Sequence, residues 1–315
     1  LVAGINAASP HPLLIASDFE RGAAQQISDL THLPPPAALG FIDRPEITAR
    51  CGAVTAREAR HVGVNWVYAP VADLDLEPEN PIIGTRSFGD QPEMVGRHVA
   101  AWVRAAEQAG VVTSAKHYPG HGRTAADSHA TLPTVDLPYD QLAASDLAPF
   151  RSAIAAGTRS VMTAHVSYPA WDPSGLPATL SPLLMRHLRE GLGFQGLVVT
   201  DALIMEGVLQ GAGEAKASVR AIAAGADALL YPVDPAAVVG ALEREVGTTV
   251  PRARMDDALE RVARAAEGVQ APVTALSEAD LAEHRAFANA TADLALHMLR
   301  GEQLSLYPPL DVQIV

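Results

Sequence analysis

The feature that most constrains this chain is the alternation of short apolar runs with longer segments rich in Ala, Arg, Glu and Leu. The runs are nearly continuous in apolar character, as in strands that are covered on both faces. They are Pro12–Ser17, Val64–Pro70, Val111–Lys116, Arg159–His165, Leu197–Asp201 and Ala226–Pro232. The predicted helices are Ile47–Val62, Pro92–Ala109, Tyr139–Ala156, Pro182–Glu190, Ala215–Gly225 and Pro251–Gly268. This order predicts an α/β fold of βα units around a parallel sheet.

Polar residues stand where the predicted strands end. Asp18, His117, His165 and Asp201 each come at or just after a C-terminal strand end. In a (β/α)8 TIM-type barrel this end carries the catalytic face, which is built from the βα loops. A dinucleotide-binding sheet also places residues there, but no G-x-G-x-x-G follows the first run. The pattern therefore predicts a barrel enzyme with its site at this face.

A barrel of this type has eight strands, two more than the sequence pattern provides. We therefore expect residues 1–270 to form a TIM-type barrel that lacks its first two strands, a gap on the order of 60 residues. Residues 271–315 are expected to be a linker and the start of a C-terminal α/β domain. Within them, Ala271–Ala290 is predicted as linker and helix, and Ala295–Arg300 and Asp311–Val315 as strands.

Composition excludes several classes of partner. The formal net charge of −13 argues against a nucleic-acid partner and against binding to an anionic membrane surface. No apolar stretch approaches the ~20 residues that a membrane span needs. The single cysteine, Cys51, excludes an internal disulfide framework and a cysteine-rich zinc site, and it fits either redox compartment. The sequence therefore does not determine the compartment.

The densest polar segment runs from Lys116 to His129 and passes through Pro119 and Gly120, so it is predicted to be a loop. Within it, Asp127 and His129 have the Asp-x-His spacing. A carboxylate so placed can accept the imidazole N–H, fix its tautomer and stabilise its protonated form. His129 is thus a candidate general acid and base. The alternative is an ordinary solvated loop.

A zinc site is a second alternative, with His117, His121 and His129 as ligands. The spacing of His117 and His121 suits a metal only on a helix, which Pro119 and Gly120 oppose, and no H-E-x-x-H is present. The pattern favours acid–base chemistry over a metal site.

Asp201 closes a buried apolar run and defines the second candidate segment. An Asp at such a place is costly unless it is used or paired. A carboxylate there suits a nucleophile that captures an electron-poor sugar carbon. The alternative is that Asp201 is the N-cap of the following helix, a position that Asp favours. This segment alone does not decide between the two.

Three motifs occur in order along the chain. They are Ile83–Gly89, then Lys116-His117 with the following Pro-Gly and Asp127-Ser128-His129, then Thr200-Asp201-Ala202-Leu203-x-Met205. Together they resemble glycoside hydrolase family 3, specifically its β-N-acetylglucosaminidase branch, from about Pro12 to Gly268. The resemblance implies that Asp201 is the nucleophile that forms a covalent glycosyl-enzyme, that His129 is the acid/base on a mobile loop, and that Asp127 is its dyad partner. The residues expected to bind the saccharide are Asp18, Arg86, Lys116, His117 and Met205. His165 is expected either on the aglycone side or in a structural role.

The implied activity is that of a retaining, exo-acting β-N-acetylglucosaminidase that works by double displacement and needs no metal or organic cofactor. The expected partner is a saccharide that contains N-acetylglucosamine, such as one released in peptidoglycan turnover. A β-N-acetylglucosaminide phosphorylase at the same centre and a catalytically silent sugar-binding barrel are the alternatives.

The sequence departs from the family pattern at two positions. Arg21 stands where glycine is usual, and Gln26 where arginine is common. We expect these changes to alter recognition at the far side of the sugar, or recognition of a peptide-bearing aglycone. Asp73 and Asp75 follow the second predicted strand, and we expect them to position Arg86, because Arg–carboxylate pairs are geometrically specific.

Overall fold

The centre of the molecule is a curled parallel sheet of six strands that follow one another in chain order. The computed structural model describes residues 4–5, 8–128, 131–209, 213–269 and 275–299. The strands are β1 (Ala16–Ser17), β2 (Trp66–Val67), β3 (Val112–Tyr118), β4 (Ser160–Thr163), β5 (Leu197–Ala202) and β6 (Ala228–Leu230). Every pairing between them is parallel. Each predicted run overlaps an observed strand, so the predicted parallel βα architecture is confirmed.

Helices alternate with these strands along the chain. Their bounds are Pro36–Ile42, Pro45–His61, Pro92–Gln108, Tyr139–Ala144, Ala148–Ala155, Pro182–Arg186, Glu206–Leu209, Glu214–Ala224, Pro235–Glu245, Arg252–Glu267 and Glu278–Leu299. Several of them begin with proline, as Pro45, Pro92 and Pro235 do. Proline suits the first helical position because its fixed φ is already helical and its missing N–H would have no partner there. In the part of the chain that the structure describes, none of these helices is both long and apolar enough to cross a membrane.

The charged and imidazole side chains of these strands lie near their C-terminal ends, whereas the buried polar side chains nearer the other end are small hydroxyl residues such as Ser114 and Ser160. β3 is buried along its whole length, including Lys116 and His117. β5 is buried from Leu197 to Thr200 and becomes partly exposed at Asp201 and Ala202. Because all strands run in the same direction, these ends meet at one edge of the sheet, and that edge holds the candidate site.

The predicted helix Tyr139–Ala156 is instead two helices, separated by a break at Ser145 and Asp146. The backbone of Ser145 leaves helical geometry, with φ −119° and ψ −81°. The buried carboxylate of Asp146 accepts hydrogen bonds from Arg123 Nε at 3.0 Å and from the Ser145 hydroxyl at 2.6 Å. The break therefore lets a buried Asp pair with an arginine of the polar loop that follows β3.

The last described helix, Glu278–Leu299, packs on the helix Pro45–His61. His284 Nδ1 lies 2.8 Å from Glu58 Oε1, and both side chains are buried. The prediction of a strand at Ala295–Arg300 is wrong over residues 295–299, which continue this helix. Its Ala, Leu and Met residues favour helix, and no β-branched residue opposes it. The predicted strand Asp311–Val315 lies outside the described residues, and the division at residue 270 stays a prediction.

Candidate active site

A cavity of about 540 Å³ opens at the C-terminal ends of the strands. Its walls come from the segments that follow β1, β3, β5 and β6, and from the short turn Gly84–Arg86. Six predicted site residues line this one cavity: Asp18, Arg86, Lys116, His117, Asp201 and Met205. Residues that are far apart in the sequence thus converge where a βα barrel places its catalytic groups.

Glu20 is the centre of a charge network in one wall of the cavity. Its Oε1 lies 2.6 Å from Lys116 Nζ and 2.8 Å from Arg86 Nη2, while Oε2 accepts from Arg86 Nε at 2.9 Å. Lys116 Nζ also donates to Asp18 Oδ1 at 2.7 Å. Burial raises the pKa of Glu20, but Lys116 and Arg86 outweigh burial and hold the pKa well below its ordinary value. The ionised carboxylate therefore fixes both cations at the cavity wall.

Asp73 holds His117 from beneath the cavity. Both oxygens of this buried carboxylate accept from the His117 backbone N–H at 3.1 Å, and Oδ2 lies 2.7 Å from His117 Nδ1. Oδ1 also accepts from the backbone N–H of His121 at 2.7 Å. Burial raises the pKa of Asp73, but His117 and His121 lower it by more, so the group stays ionised. With Nδ1 engaged, Nε2 is the ring nitrogen of His117 that is left for a ligand.

Asp201 stands at the end of β5 and lines the cavity. The backbone N–H of Ala202 donates to its Oδ1 at 2.8 Å. Burial raises the pKa of Asp201, but the nearby rings of His117 and His165 and the Ala202 N–H outweigh burial, and the pKa lies below its ordinary value. The next helix begins only at Glu206, so Asp201 is not its N-cap. The strand end thus presents an ionised carboxylate to the cavity.

The polar loop after β3 is tied down on both sides of His121. The imidazole bonds Thr124 Oγ1 at 2.7 Å through Nδ1 and Ser128 Oγ at 3.0 Å through Nε2. Gly122 has no room for a side chain, because a Cβ there would lie 1.6 Å from the Leu74 carbonyl oxygen. Within the described ranges, no three His, Cys, Asp or Glu side chains are grouped around a possible metal position. His121 therefore acts as a hydrogen-bonded support of the loop.

His129 lies outside the described residues, but both of its flanks are described. Ser128 lines the cavity, and its carbonyl oxygen accepts from the backbone N–H of Gly207 at 3.1 Å. A Cβ on Gly207 would lie 2.9 Å from the carbonyl oxygens of both Ser128 and Thr131. Ser128 and Thr131 therefore both lie against the short helix Glu206–Leu209, which follows the Asp201 strand. The Asp127 carbonyl accepts from Thr131 N–H at 3.1 Å, and the pairing of Asp127 with His129 stays a prediction.

His165 and Met205 occupy different positions. Met205 lines the cavity, as predicted for a residue near the saccharide. His165 is fully buried, with Nδ1 2.7 Å from Thr179 Oγ1 and Nε2 3.1 Å from the Ala202 carbonyl oxygen. Burial lowers the pKa of His165 below its ordinary value. The structure places it behind the end of β5 rather than in the cavity wall, and its contact with an aglycone stays a prediction.

The expectation that Asp73 and Asp75 position Arg86 is wrong. Arg86 bonds Glu20 and the Ile82 carbonyl oxygen, whereas Asp73 bonds His117 and Asp75 is exposed. Glu20 and Asp73 are therefore the supporting carboxylates of the site. The sequence did not single out Glu20, and it assigned Asp73 to Arg86 rather than to His117.

Weak signals for both residues were present in the sequence. Glu20 is two residues after Asp18 and so points to the same side of an extended chain. Asp73 follows an apolar run, as Asp201 does.

Comparison with known proteins gives a consistent result. The model of the family "Glycosyl hydrolase family 3 N terminal domain" matches residues 2–265. A Cellulomonas fimi protein named β-N-acetylglucosaminidase/β-glucosidase is 34% identical over 263 residues, which are 80% of this chain and 46% of that protein. The chain thus spans about half the length of this relative.

Two solved structures are similar over nearly the whole chain. A family 3 β-N-acetylglucosaminidase from Paenibacillus sp. str. FPU-7 superimposes with a TM-score of 0.84 at 35% identity, covering 90% of this chain and 56% of that one. The β-glucoside phosphorylase BglX bound to 2FGlc superimposes with a TM-score of 0.86 at 29% identity, covering 93% of this chain and 56% of that one.

Proposed function

The chain belongs to glycoside hydrolase family 3, and from this premise we propose that it is a retaining, exo-acting β-N-acetylglucosaminidase. We further propose that its six strands are six of the eight strands of a TIM-type barrel, and that residues 271–315 lead into a second domain. The substrate is a saccharide with a terminal N-acetylglucosamine. The names of the Cellulomonas and Paenibacillus relatives support this choice of sugar.

In the proposed mechanism, Asp201 attacks the anomeric carbon while the bond to the leaving oxygen breaks. His129, in its protonated form, gives its proton to that oxygen, and a covalent glycosyl-enzyme is formed. Neutral His129 then takes a proton from water, which displaces Asp201 and releases the sugar with its original β configuration. Asp127 is assigned the role of stabilising the protonated imidazole.

In this proposal the terminal sugar is bound by the cavity wall that contains the Glu20 charge network. Lys116, Arg86 and His117 donate hydrogen bonds to its hydroxyl groups, and the partly exposed Asp18 accepts from one of them. The arrangement is suited to this task because the cations are already held by Glu20 and do not move when the sugar enters.

The observation that carries the proposal is the position of Asp201. Its ionised carboxylate lines the cavity together with Ser128, the residue that directly precedes His129. A nucleophile and an acid/base must approach the same anomeric centre from different sides, and the two segments meet at one cavity.

The test is hydrolysis of para-nitrophenyl β-N-acetylglucosaminide by the protein and by Asp201→Ala and His129→Ala. We expect activity to vanish in the first variant and to fall by about 10²–10⁴ in the second, as for the loss of a general acid/base. Azide should restore turnover of Asp201→Ala and give the α-glycosyl azide. Asp256→Ala, at an exposed position of the helix Arg252–Glu267, is the matched control. Full activity of Asp201→Ala would refute the assignment, and sugar binding without turnover by the wild type would favour a silent sugar-binding barrel.

A phosphorylase at the same centre is the second candidate, favoured by the likeness to BglX. In that reaction phosphate replaces water as the acceptor, and the product is a sugar 1-phosphate. A neutral imidazole near the acceptor repels the phosphate dianion less than a carboxylate does. Analysis of products with and without phosphate separates the two reactions, because only a phosphorylase forms sugar phosphate and accelerates in its presence.

A further inference from the structure

Among the described residues, three lysine and arginine side chains line the cavity, and two of them are paired with carboxylates. Lys116 pairs with Asp18 and Glu20, and Arg86 pairs with Glu20 through two hydrogen bonds. The third is Arg21, which is exposed. Its guanidinium makes no ion pair or hydrogen bond with any residue in the described ranges. Arg21 is therefore available to a ligand, whereas the other two cations are largely committed to the protein.

The backbone that carries Arg21 is held in place. Its N–H donates to Gln25 Oε1 at 3.2 Å, and its carbonyl oxygen accepts from Leu33 N–H at 3.0 Å. The next residue, Gly22, has φ +82°, and a Cβ there would lie 2.4 Å from the Thr31 carbonyl oxygen. No side chain fits at that position, so the turn is fixed. Binding of a ligand therefore orders only the side chain of Arg21 and not its backbone.

The negative charge of the protein makes an unpaired cation such as Arg21 important for binding an anionic ligand. The chain has a formal net charge of −13, and a protein of this sign repels an anionic saccharide at long range. Asp18, Glu20 and Asp201 add negative charge within the cavity itself. An anionic substrate therefore needs a local cation that is not already paired, and Arg21 meets this need.

We infer that Arg21 is a recognition site for an anionic group, such as a carboxylate or sulfate, carried by the saccharide that enters the cavity. A planar guanidinium offers two parallel N–H donors, which match the two oxygens of such a group. The anionic group has two possible sources, the leaving group and the terminal sugar. This inference rests on the proposed glycosidase function and names the substrate class within it.

The experiment compares three chromogenic β-N-acetylglucosaminides. One is neutral, one carries a carboxylate on its aryl leaving group, and one carries a sulfate ester on the terminal sugar. For each substrate kcat/KM is measured with the wild type, Arg21→Gln and Arg21→Lys. The readout is kcat/KM for each anionic substrate divided by kcat/KM for the neutral substrate. The intrinsic reactivity of each leaving group is the same for every enzyme variant, so it cancels when this ratio is compared between variants. Arg104→Gln removes the same charge from an exposed position of the helix Pro92–Gln108 and is the matched control.

We expect Arg21→Gln to lower this ratio about tenfold for one of the two anionic substrates, the loss expected for a charge-assisted hydrogen-bonded contact at a partly exposed site. The substrate that responds identifies the source of the anion. The ratio for Arg21→Lys should lie between those of the wild type and Arg21→Gln, because lysine keeps the charge but not the two parallel N–H donors of the guanidinium. The effect should shrink at ~1 M salt, where the screening length falls to about 3 Å.

Two results would go against the proposals, and they are distinguishable. If the wild type turns over the neutral substrate but Arg21→Gln changes both ratios no more than Arg104→Gln does, the role of Arg21 is refuted. If the wild type turns over none of the three substrates, the proposed glycosidase function itself has failed.

Discussion

Replacement of Glu20 by Gln is the change that should most damage the cavity wall. The Glu20 side chain is 5% exposed, and it neutralises Lys116, which is 3% exposed, and Arg86, which is 30% exposed. Glu20→Gln keeps the shape but removes the charge and turns an amide NH₂ toward one of the two cations. The remaining contact of Lys116 with Asp18 compensates little, because Asp18 is 47% exposed and solvent screens it.

The magnitude follows from these burial values. Removal of one partner from a buried ion pair costs about 3–5 kcal/mol. Because Arg86 is partly exposed, we expect the lower end, about 3 kcal/mol. A domain is stable by about 5–15 kcal/mol, so this loss is a large fraction of the unfolding free energy. Activity should also fall, since Lys116 and Arg86 lose the carboxylate that positions them.

Urea unfolding measures the effect, followed by tryptophan fluorescence and by far-UV circular dichroism. With a slope of ~3 kcal/mol per M, the midpoint should fall by about 1 M and the slope should not change. Glu243→Gln removes the same charge from an exposed position of the helix Pro235–Glu245, and its effect should stay within about 0.5 kcal/mol. Equal midpoints for the two variants would refute the reasoning.

Three further predictions follow from the contacts around the cavity. Asp73→Asn turns an amide donor toward the His117 ring, so kcat/KM for the neutral glycoside should fall at least tenfold while the circular dichroism spectrum is kept. Gly207→Ala puts a Cβ 2.9 Å from the Ser128 carbonyl oxygen. Steady-state kinetics should show a lower kcat, because Ser128, which precedes the proposed acid/base His129, must move. The third prediction concerns pH. Burial raises the pKa of Glu58, but the hydrogen bonds that Glu58 accepts from His284 and Thr31 outweigh burial and lower this pKa. The ionised carboxylate therefore stabilises the fold above about pH 4.3, and this contribution is lost as the pH falls through the pKa of the folded state. Urea midpoints of the wild type and Glu58→Gln, measured from pH 7 to pH 3, should therefore converge at the acid end.

The strand pattern could be predicted because burial on both faces leaves a simple trace in the sequence. All of β3 is buried, and its run of small and β-branched residues is nearly free of charge until Lys116. The start of the helix Pro92–Gln108 was predicted correctly, and proline marks its first turn. The helix Pro235–Glu245 also begins with proline but was not predicted. The break in Tyr139–Ala156 was not predictable, because it depends on the partner that Asp146 finds in Arg123.

Pairing across the chain is what sequence reasoning did not reach. Glu20 and Arg86 are 66 residues apart, and Asp73 and His117 are 44 residues apart. No local pattern distinguishes the acid that binds a given cation when several acids follow strand ends. The cation Arg86 was predicted as a site residue, but its carboxylate partner emerged only from the fold.

The pairing has a chemical consequence for the proposed nucleophile. If Lys116 and Arg86 were unpaired, their charges would attract the Asp201 carboxylate and compete with the anomeric carbon for its electrons. Glu20 takes up both cations, and Lys116 is only a minor contributor to the lowered pKa of Asp201. In the proposed function, the wall can therefore donate hydrogen bonds to a sugar without neutralising the Asp201 carboxylate nearby. By this reasoning Glu20 does more than stabilise the fold, because it separates the binding charge from the reacting charge within one cavity.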